Sequence, residues 1–399
     1  MPRLFILFVT AFVDMVGLTM ILPLLPFYAT RFGATATTVG ILIAAFSVAQ
    51  LAVAPLWGRL SDRYGRRPAI LTGLIATAVA YVLFAFAGSV AALLASRIVQ
   101  GVGGGTIGVV QAYVADASPI DRRTQSLGWL SAVTSLGAVA GPAFGSAMIG
   151  LGGHRAPGLA AAVLALMVAG FGWRYLRESL EPESTAELAA ASRTTSRAAL
   201  RSVITRWREP ASRLILIYAI AIGAFYGIVP TVPLLLGDRF AINERTAGYF
   251  IMYLGGMGVV VRSLVLGPIV ARLGEARLSR LGIVLLAAGL ALTGVAKGYP
   301  VLALGFTLMP LGTAFIFPCV TGLLSRVVAG RERGVYMGVQ HTFGGLSRVA
   351  FPVAAGFAMD RFGLGVPFWV AGVLVLLTIP MTRVMSAGPI AEAAGGRPD

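Results

Sequence analysis

Cysteine occurs once in this sequence, at Cys319, lysine once, at Lys297, and histidine twice, at His154 and His341. A single cysteine excludes an intramolecular disulfide and a thiolate metal cluster, so no metal is expected. Charge is scarce as well: Asp, Glu, Lys and Arg make up 12% of the 399 residues, where a soluble chain carries about a quarter. No Gly-x-x-x-x-Gly-Lys-Ser/Thr loop is present, which excludes a P-loop ATP motor. The run Gly101-x-Gly103-Gly104-Gly105 is embedded in an apolar stretch and is not a nucleotide loop. No nucleophile–base or metal-ligand constellation is found, so neither enzymatic activity nor a cofactor is expected.

What the chain has instead is apolar length. Hydrophobic residues make up 57% of it, and several runs reach the roughly 20 residues that cross a ~30 Å hydrocarbon core as helix. Lipid-exposed backbone must satisfy its hydrogen bonds within its own segment, so the spans are helical. Twelve are read, over 4–28, 38–57, 68–87, 91–114, 126–149, 156–176, 213–236, 246–267, 278–297, 300–325, 334–358 and 365–386. The first carries Asp14 and Pro23 and has no convincing cleavage site, so it is read as a retained helix rather than a signal peptide.

The net charge of +16 is explained by topology rather than by nucleic acid. With the N-terminus inside, 23 arginines fall on the cytoplasmic side, five on the outer side with Lys297, and Arg97, Arg262 and Arg348 inside spans. That bias fits an even number of spans and cytoplasmic termini, with the bilayer and no nucleic acid as partner.

The expected fold class is therefore an all-α integral membrane protein, twelve transmembrane helices in two pseudo-repeated six-helix bundles. The bundles are 1–176 and 213–386, joined by a polar cytoplasmic linker, 177–212, and followed by a Gly/Ala/Pro-rich tail, 387–399, expected to be disordered. Within the linker, Leu200, Val203, Ile204 and Trp207 share a helical stripe, which suits either an interfacial helix or a solvated linker helix. An internal repeat supports the two halves. Pro23-x-x-Pro26 recurs as Pro230-x-x-Pro233, Gly40 as Gly248, Gly58-x-x-x-x-Arg63-x-Gly65 as Gly267-x-x-x-x-Arg272-x-Gly274, and Pro142 as Pro352. Two parallel six-helix halves with a cavity between them is a transporter plan.

Asp14 is the only acidic residue near the middle of a span, which makes it a functional candidate: it either binds and releases protons or is permanently paired with another helix. Arg97, Gln100, Gly104, Gly108 and Gln111 share one face of the fourth span, a smooth polar face suited to lining a cavity; Gly101 and Gly105 suit close helix packing. On the eleventh span His341, Gly344, Gly345 and Arg348 share a face, where Arg348 binds an anionic group, pairs with Asp14, or is capped by carbonyls. Further candidates to contact a small molecule are Gln50, Phe225, Tyr226, Tyr249, Tyr253 and Phe343, each with ordinary packing as its alternative.

At Gly58-Arg-Leu-Ser-Asp62-Arg63-Tyr-Gly65-Arg66-Arg67 the sequence resembles the loop between helices 2 and 3 of the major facilitator superfamily. Arg97-Ile-Val-Gln100-Gly101 resembles that family's fourth-helix motif, and Gly137-x-x-x-Gly141-Pro142-x-x-Gly145 the fifth-helix motif of its antiporters. The resemblance covers about residues 4–386 and lies nearest the drug:proton antiporters that include tetracycline exporters. It departs from the latter in the third helix, where Ala80-Tyr81 stands in place of an acidic residue, so tetracycline itself is not the expected substrate. The resemblance implies a monomeric proton-coupled exporter of small lipophilic or drug-like compounds, working by alternating access in a bacterial inner membrane, with antibiotic resistance as its phenotype. It implies proton coupling at Asp14 and Arg97, and a conformational latch of Asp62, Arg63, Arg66, Arg67 and Asp116 with the start of helix 11 near Gly334. The second-half copy has Ala271 in place of Asp62, so the latch is expected to be asymmetric. Two rivals are a transporter of anionic metabolites using the intramembrane arginines, and a membrane receptor or scaffold with no transport cycle.

Overall fold

The computed structural model describes residues 2–119, 122–176, 178, 203–329 and 332–386. These form twelve helical rods and no strand among the described residues. Ten are long and apolar enough to cross a membrane: α1 (Leu4–Arg31), α2 (Ala36–Tyr64), α3 (Arg66–Ala85), α4 (Val90–Asp116), α5 (Gln125–Gly152), α6 (Ala156–Tyr175), α7 (Pro210–Phe240), α8 (Glu244–Leu273), α9 (Glu275–Val295) and α10 (Tyr299–Val327). Two more complete the set. Arg333–Phe362 is α11, polar for its length because of Gln340, His341 and Arg348; the shorter apolar Val366–Thr382 is α12. This is the all-α, twelve-helix membrane fold expected from the sequence. The tail from 387 and the first part of the expected interfacial helix, including Leu200, lie outside the described residues; within the remainder Val203 is buried while Ile204 and Trp207 are exposed.

Several rods are broken where the sequence removes a backbone donor or a side chain. In α1 the helix unwinds over 22–24 around Pro23, whose missing N–H cannot bond the preceding turn. Its repeat partner Pro230 lies in a 3-10 turn, Val229–Thr231, that follows a π-helical turn, Gly223–Gly227. A second π-helical turn, Val261–Val265, interrupts α8. In α12 regular helix stops at Leu376, and a 3-10 stretch, Ile379–Ser386, containing Pro380 replaces the straight span expected to 386.

The rods pack into two compact units that interleave along the chain. The first comprises Met1–Glu183, Ile228–Val259 and Val349–Pro367; the second comprises Ser184–Gly227, Val260–Arg348 and Phe368–Asp399. In the first unit α1 lies against α5 through small residues. A Cβ at Gly137 would sit 2.6 Å from the Phe12 carbonyl oxygen, and Gly141 and Gly145 meet the carbonyls of Val16 and Met20 in the same way. Residues at i, i+4 and i+8 on one helix thus face i, i+4 and i+8 on the other, the close backbone approach that membrane helices use to gain dispersion energy.

The sequence repeat reappears as reciprocal contact. Gly248 at the start of α8 lies against the Pro142 carbonyl of α5, and Gly40 at the start of α2 against the Pro352 carbonyl of α11. Each proline lies inside its helix, and each facing glycine supplies the space for the close approach. A second repeated pair joins neighbouring helices within each unit. Gly73 on α3 faces Gly103 on α4, and Gly282 on α9 faces Gly312 on α10; both positions recur 209 residues on.

Candidate functional site

The first unit has two apolar clusters along α1. One contains Ile6, Leu7, Ala11, Ile70, Leu74 and Tyr113, the other Met20, Ile21, Leu24, Leu42, Tyr81 and Phe84. Asp14 falls between them and borders two voids. The larger, about 570 Å³, is lined by Thr10 and Asp14 of α1, Gly73 and Thr77 of α3, Gly108 and Gln111 of α4, and Ser131 and Thr134 of α5. The smaller, about 10 Å³, brings Asp14 together with Gln50, Tyr81, Gln100 and Gly104, and has room for about one water molecule.

Behind the smaller void lies Arg97, only 1% exposed. Its Nη1 donates to Gln100 Oε1 and its guanidinium carbon stands 5.2 Å from the centre of the Phe46 ring. Its Nε and Nη2, the Gln100 Nε2 and the Tyr81 hydroxyl have no hydrogen-bond partner among the described residues. No carboxylate pairs with this guanidinium there. A buried, incompletely bonded cation is costly, and the open groups beside it are donor nitrogens and one hydroxyl that both donates and accepts. The layer is therefore organised to receive an acceptor, and Asp14 is the carboxylate bordering it.

The expected polar face of α4 is divided between these voids. Gln100 and Gly104 border the smaller, Gly108 and Gln111 the larger. The other α4 glycines pack: Gly101 meets the Phe46 carbonyl and Gly105 the Trp57 ring. The helix opens at Gly105–Thr106, and three side chains satisfy the freed carbonyls. Trp57 Nε1 donates to Val102 O (2.7 Å), Thr106 Oγ1 to Gly103 O (3.0 Å) and Gln50 Nε2 to Gly104 O (3.1 Å). Gln50, a candidate contact residue from sequence, is thus occupied in holding α4. Tyr81, noted in the sequence only as the absence of an acid, proves to be a member of the polar layer.

At the α2–α3 junction Arg66 is the hub of the expected charge cluster. Its Nη1 lies 2.6 Å from Asp62 Oδ1 and its Nε 3.3 Å from Asp116 Oδ2. The same Nη1 donates to Ser61 Oγ at 2.6 Å. Arg67 donates to the Trp173 carbonyl and lies over that residue's ring. Arg63 is outside this network and stacks on Tyr64 at 5.3 Å. Glu178, in the stretch read from the sequence as a polar linker, is not singled out there. Its carboxylate accepts the backbone N–H groups of Arg66 (2.8 Å) and Arg67 (3.2 Å), capping α3 where the unpaired donors and the helix dipole favour an anion.

The opposite ends of these rods are joined in the same unit. Arg31 Nη2 meets Glu244 Oε1 at 2.5 Å. Asp360 accepts the first N–H groups of α2, from Ala36 (2.9 Å) and Thr37 (2.8 Å), and the Thr37 hydroxyl (2.6 Å). Ser146 Oγ donates to Glu244 O and accepts from Gly248 N. Of the remaining candidates, Tyr249 and Tyr253 are exposed residues of this unit.

In the second unit Phe225, Tyr226, His341, Phe343 and Arg348 are found with residues the sequence did not single out as a set. Tyr226 stacks on Phe317 (centroids 6.0 Å apart) and meets Phe225 edge-on at 5.1 Å. Tyr218 meets Phe317 at 5.4 Å and His341 at 6.3 Å. Arg262 lies over Phe317 at 5.9 Å. Arg348 is exposed and forms no ion pair or hydrogen bond among the described residues. Phe343 has no ring partner there.

The family model "Major Facilitator Superfamily" matches residues 7–275 and 214–394. Among curated relatives, "Multidrug resistance protein 2" of Bacillus subtilis is 28% identical over 95% of this chain and 94% of its own length. "Tetracycline resistance protein, class D" of Salmonella ordonez is 30% identical over 88% of each chain. Among solved structures, the human organic anion transporter MFSD10 (TETRAN) aligns with a TM-score of 0.67 and 25% identity, over 95% of this chain and 98% of that one. A bacterial homologue of the human lysosomal transporter Spinster, in an inward-facing, unoccupied conformation, aligns with a TM-score of 0.78 at 16% identity over 96% and 97% of the two chains, which is likeness of fold alone. With the helical architecture, the repeat and these matches together, this chain belongs to the Major Facilitator Superfamily, as a multi-pass membrane transporter rather than an enzyme.

Proposed function

We propose that this transporter is a proton-coupled antiporter that exports small lipophilic or drug-like compounds, with Asp14 as the proton carrier. The observation that carries this reading is the polar layer of the first unit, where Asp14 shares a small void with Gln100, and Gln100 holds the Arg97 guanidinium that no carboxylate neutralises among the described residues. A carboxylate in a span is stable as the neutral acid or beside a cation. Alternating between those two conditions is what proton coupling requires. Protons arriving from outside neutralise Asp14 and favour the inward-facing state. Substrate binding and Arg97 then drive the proton to the cytoplasm, and the Asp62–Arg66–Asp116 latch re-forms. The joined ends at Arg31, Asp360 and Glu244 are assigned to the outer side, and the chain works as a monomer in the bacterial inner membrane with both termini in the cytoplasm. The multidrug and tetracycline resistance relatives support the substrate class. Drug efflux that collapses on Asp14→Asn at unchanged protein level is the expected outcome; wild-type coupled efflux in that variant overturns the mechanism.

A second reading, transport of organic anions, is favoured by Arg262 and Arg348, which have no acidic partner among the described residues. The solved relative described as an organic anion transporter is in keeping with it. Uptake of lipophilic cations and of organic anions, compared in one proteoliposome preparation, separates the two.

A further inference from the structure

In the second unit every acidic residue described lies at a helix end. Glu209 pairs with Arg206 at 3.4 Å, Glu275 with Arg326 at 2.8 Å, and Glu332 stands in the turn before α11. None reaches the two arginines inside its spans. Arg262 lies over the face of Phe317, and its Nε is buried without a hydrogen-bond partner among the described residues. The Tyr218 hydroxyl lies in the field of Arg262 and Arg348 together. A guanidinium held against an aromatic face with no acid beside it among the described residues repels a cation and leaves a planar donor fork open for a carboxylate.

The aromatic part is built by the same departures from regular helix. The π-helical turn Gly223–Gly227 carries Tyr226, and the π-helical turn Val261–Val265 carries Arg262. Both side chains arrive on Phe317 of α10, Tyr226 stacked at 6.0 Å and Arg262 over the ring at 5.9 Å. A π turn inserts one residue into the helical ladder and re-aims the side chains around it, which is why such turns recur at functional sites. Two of them serving one ring is more than packing requires. Tyr226 is still 43% exposed, so part of its surface remains open in the cluster that holds Arg262.

We infer that this cluster is a binding site for aromatic organic anions, with Arg262 holding the anionic head and Tyr226 and Phe317 stacking the ring. The inference names the substrate class for the second reading above and rests on the chain being a small-molecule transporter. It does not depend on Asp14. The site is tested by equilibrium binding to the full chain in lipid nanodiscs, without a pH gradient, of two probes that share one ring system: 2-naphthoate and 2-naphthylmethylammonium. The wild type is expected to favour the carboxylate about tenfold or more, and Arg262→Gln to weaken that carboxylate about tenfold, ~1.4 kcal/mol, with the ammonium bound as well as or better than by the wild type. Phe317→Leu weakens both probes. Should Arg262→Gln not fold, Arg262→Lys decides: charge selectivity persists with a several-fold weaker carboxylate, because the fork is lost and the charge kept. Equal binding of the two probes by the wild type, no carboxylate binding at all, or carboxylate affinity unchanged in both Arg262 variants overturns the site. Proton coupling through Asp14 is measured separately by transport, so its failure leaves the binding result standing.

Discussion

Arg97 is held by Gln100 and the Phe46 ring, with two of its nitrogens left without a partner. Neutralising it therefore removes a charge that the interior does not balance, and stability is not expected to suffer as it does when a paired charge is cut. What is lost is the cation proposed to draw the proton from Asp14. Arg97→Gln is expected to slow proton-driven efflux roughly tenfold, the equivalent of ~1.4 kcal/mol, while the protein melts within a few degrees of wild type. Efflux and thermal unfolding measured on one preparation check both halves of that statement. A large drop in melting temperature with normal efflux per folded molecule would assign Arg97 to structure instead.

At the scale of the elements, the α1–α5 contact and the joined ends of the first unit decide how the helices are fixed. Gly141 meets the Val16 carbonyl and the Thr19 hydroxyl at closer range than any side chain allows. Gly141→Leu forces α5 away from α1 and with it the Asp14 layer; such overpacking typically costs about 1–3 kcal/mol. Lower yield and a lower melting temperature are expected, with residual transport reduced further than folding alone explains. Arg31–Glu244 is different. Arg31 is 43% exposed, so the pair contributes about 0.2–1 kcal/mol. Arg31→Glu places two acids together and is expected to lower transport several-fold, and adding Glu244→Arg is expected to restore it. Transport by the single and double variants is the check, and failure of the swap to rescue would remove the ion pair from the account.

Much of this element scale is legible in the sequence. Apolar length gives the rods, the Gly40/Gly248 and Pro142/Pro352 repeats give positions that prove to be reciprocal contacts, and Asp14 stands out as a lone mid-span acid. The rest is not legible, for physical reasons. Glu178 sits in a polar stretch and caps α3 only through tertiary placement. Tyr81 reads as a span aromatic until its hydroxyl is found facing Gln100 and Asp14. The Arg262–Phe317–Tyr226 cluster depends on two π-helical turns, and an added residue in a helical ladder leaves no mark in apolar periodicity.

On the scale of the whole molecule, the polar chemistry is unevenly distributed over a repeated scaffold. The first unit holds the intramembrane carboxylate, Arg97 and the Arg66 hub; the second holds arginines and aromatics, with its described acids at helix ends. Gly73–Gly103 and Gly282–Gly312 show how alike the supporting packing is. Function is therefore assigned to departures from the repeat, with proton handling in one unit and an anion-binding surface in the other. The central claim is that Asp14 couples proton movement to substrate movement. Proton flux in proteoliposomes, recorded as a panel of lipophilic and anionic compounds is added, tests it most directly with Asp14→Asn alongside. Substrate-dependent proton flux in the wild type and none in Asp14→Asn is the result the account requires. Equal flux in both contradicts it.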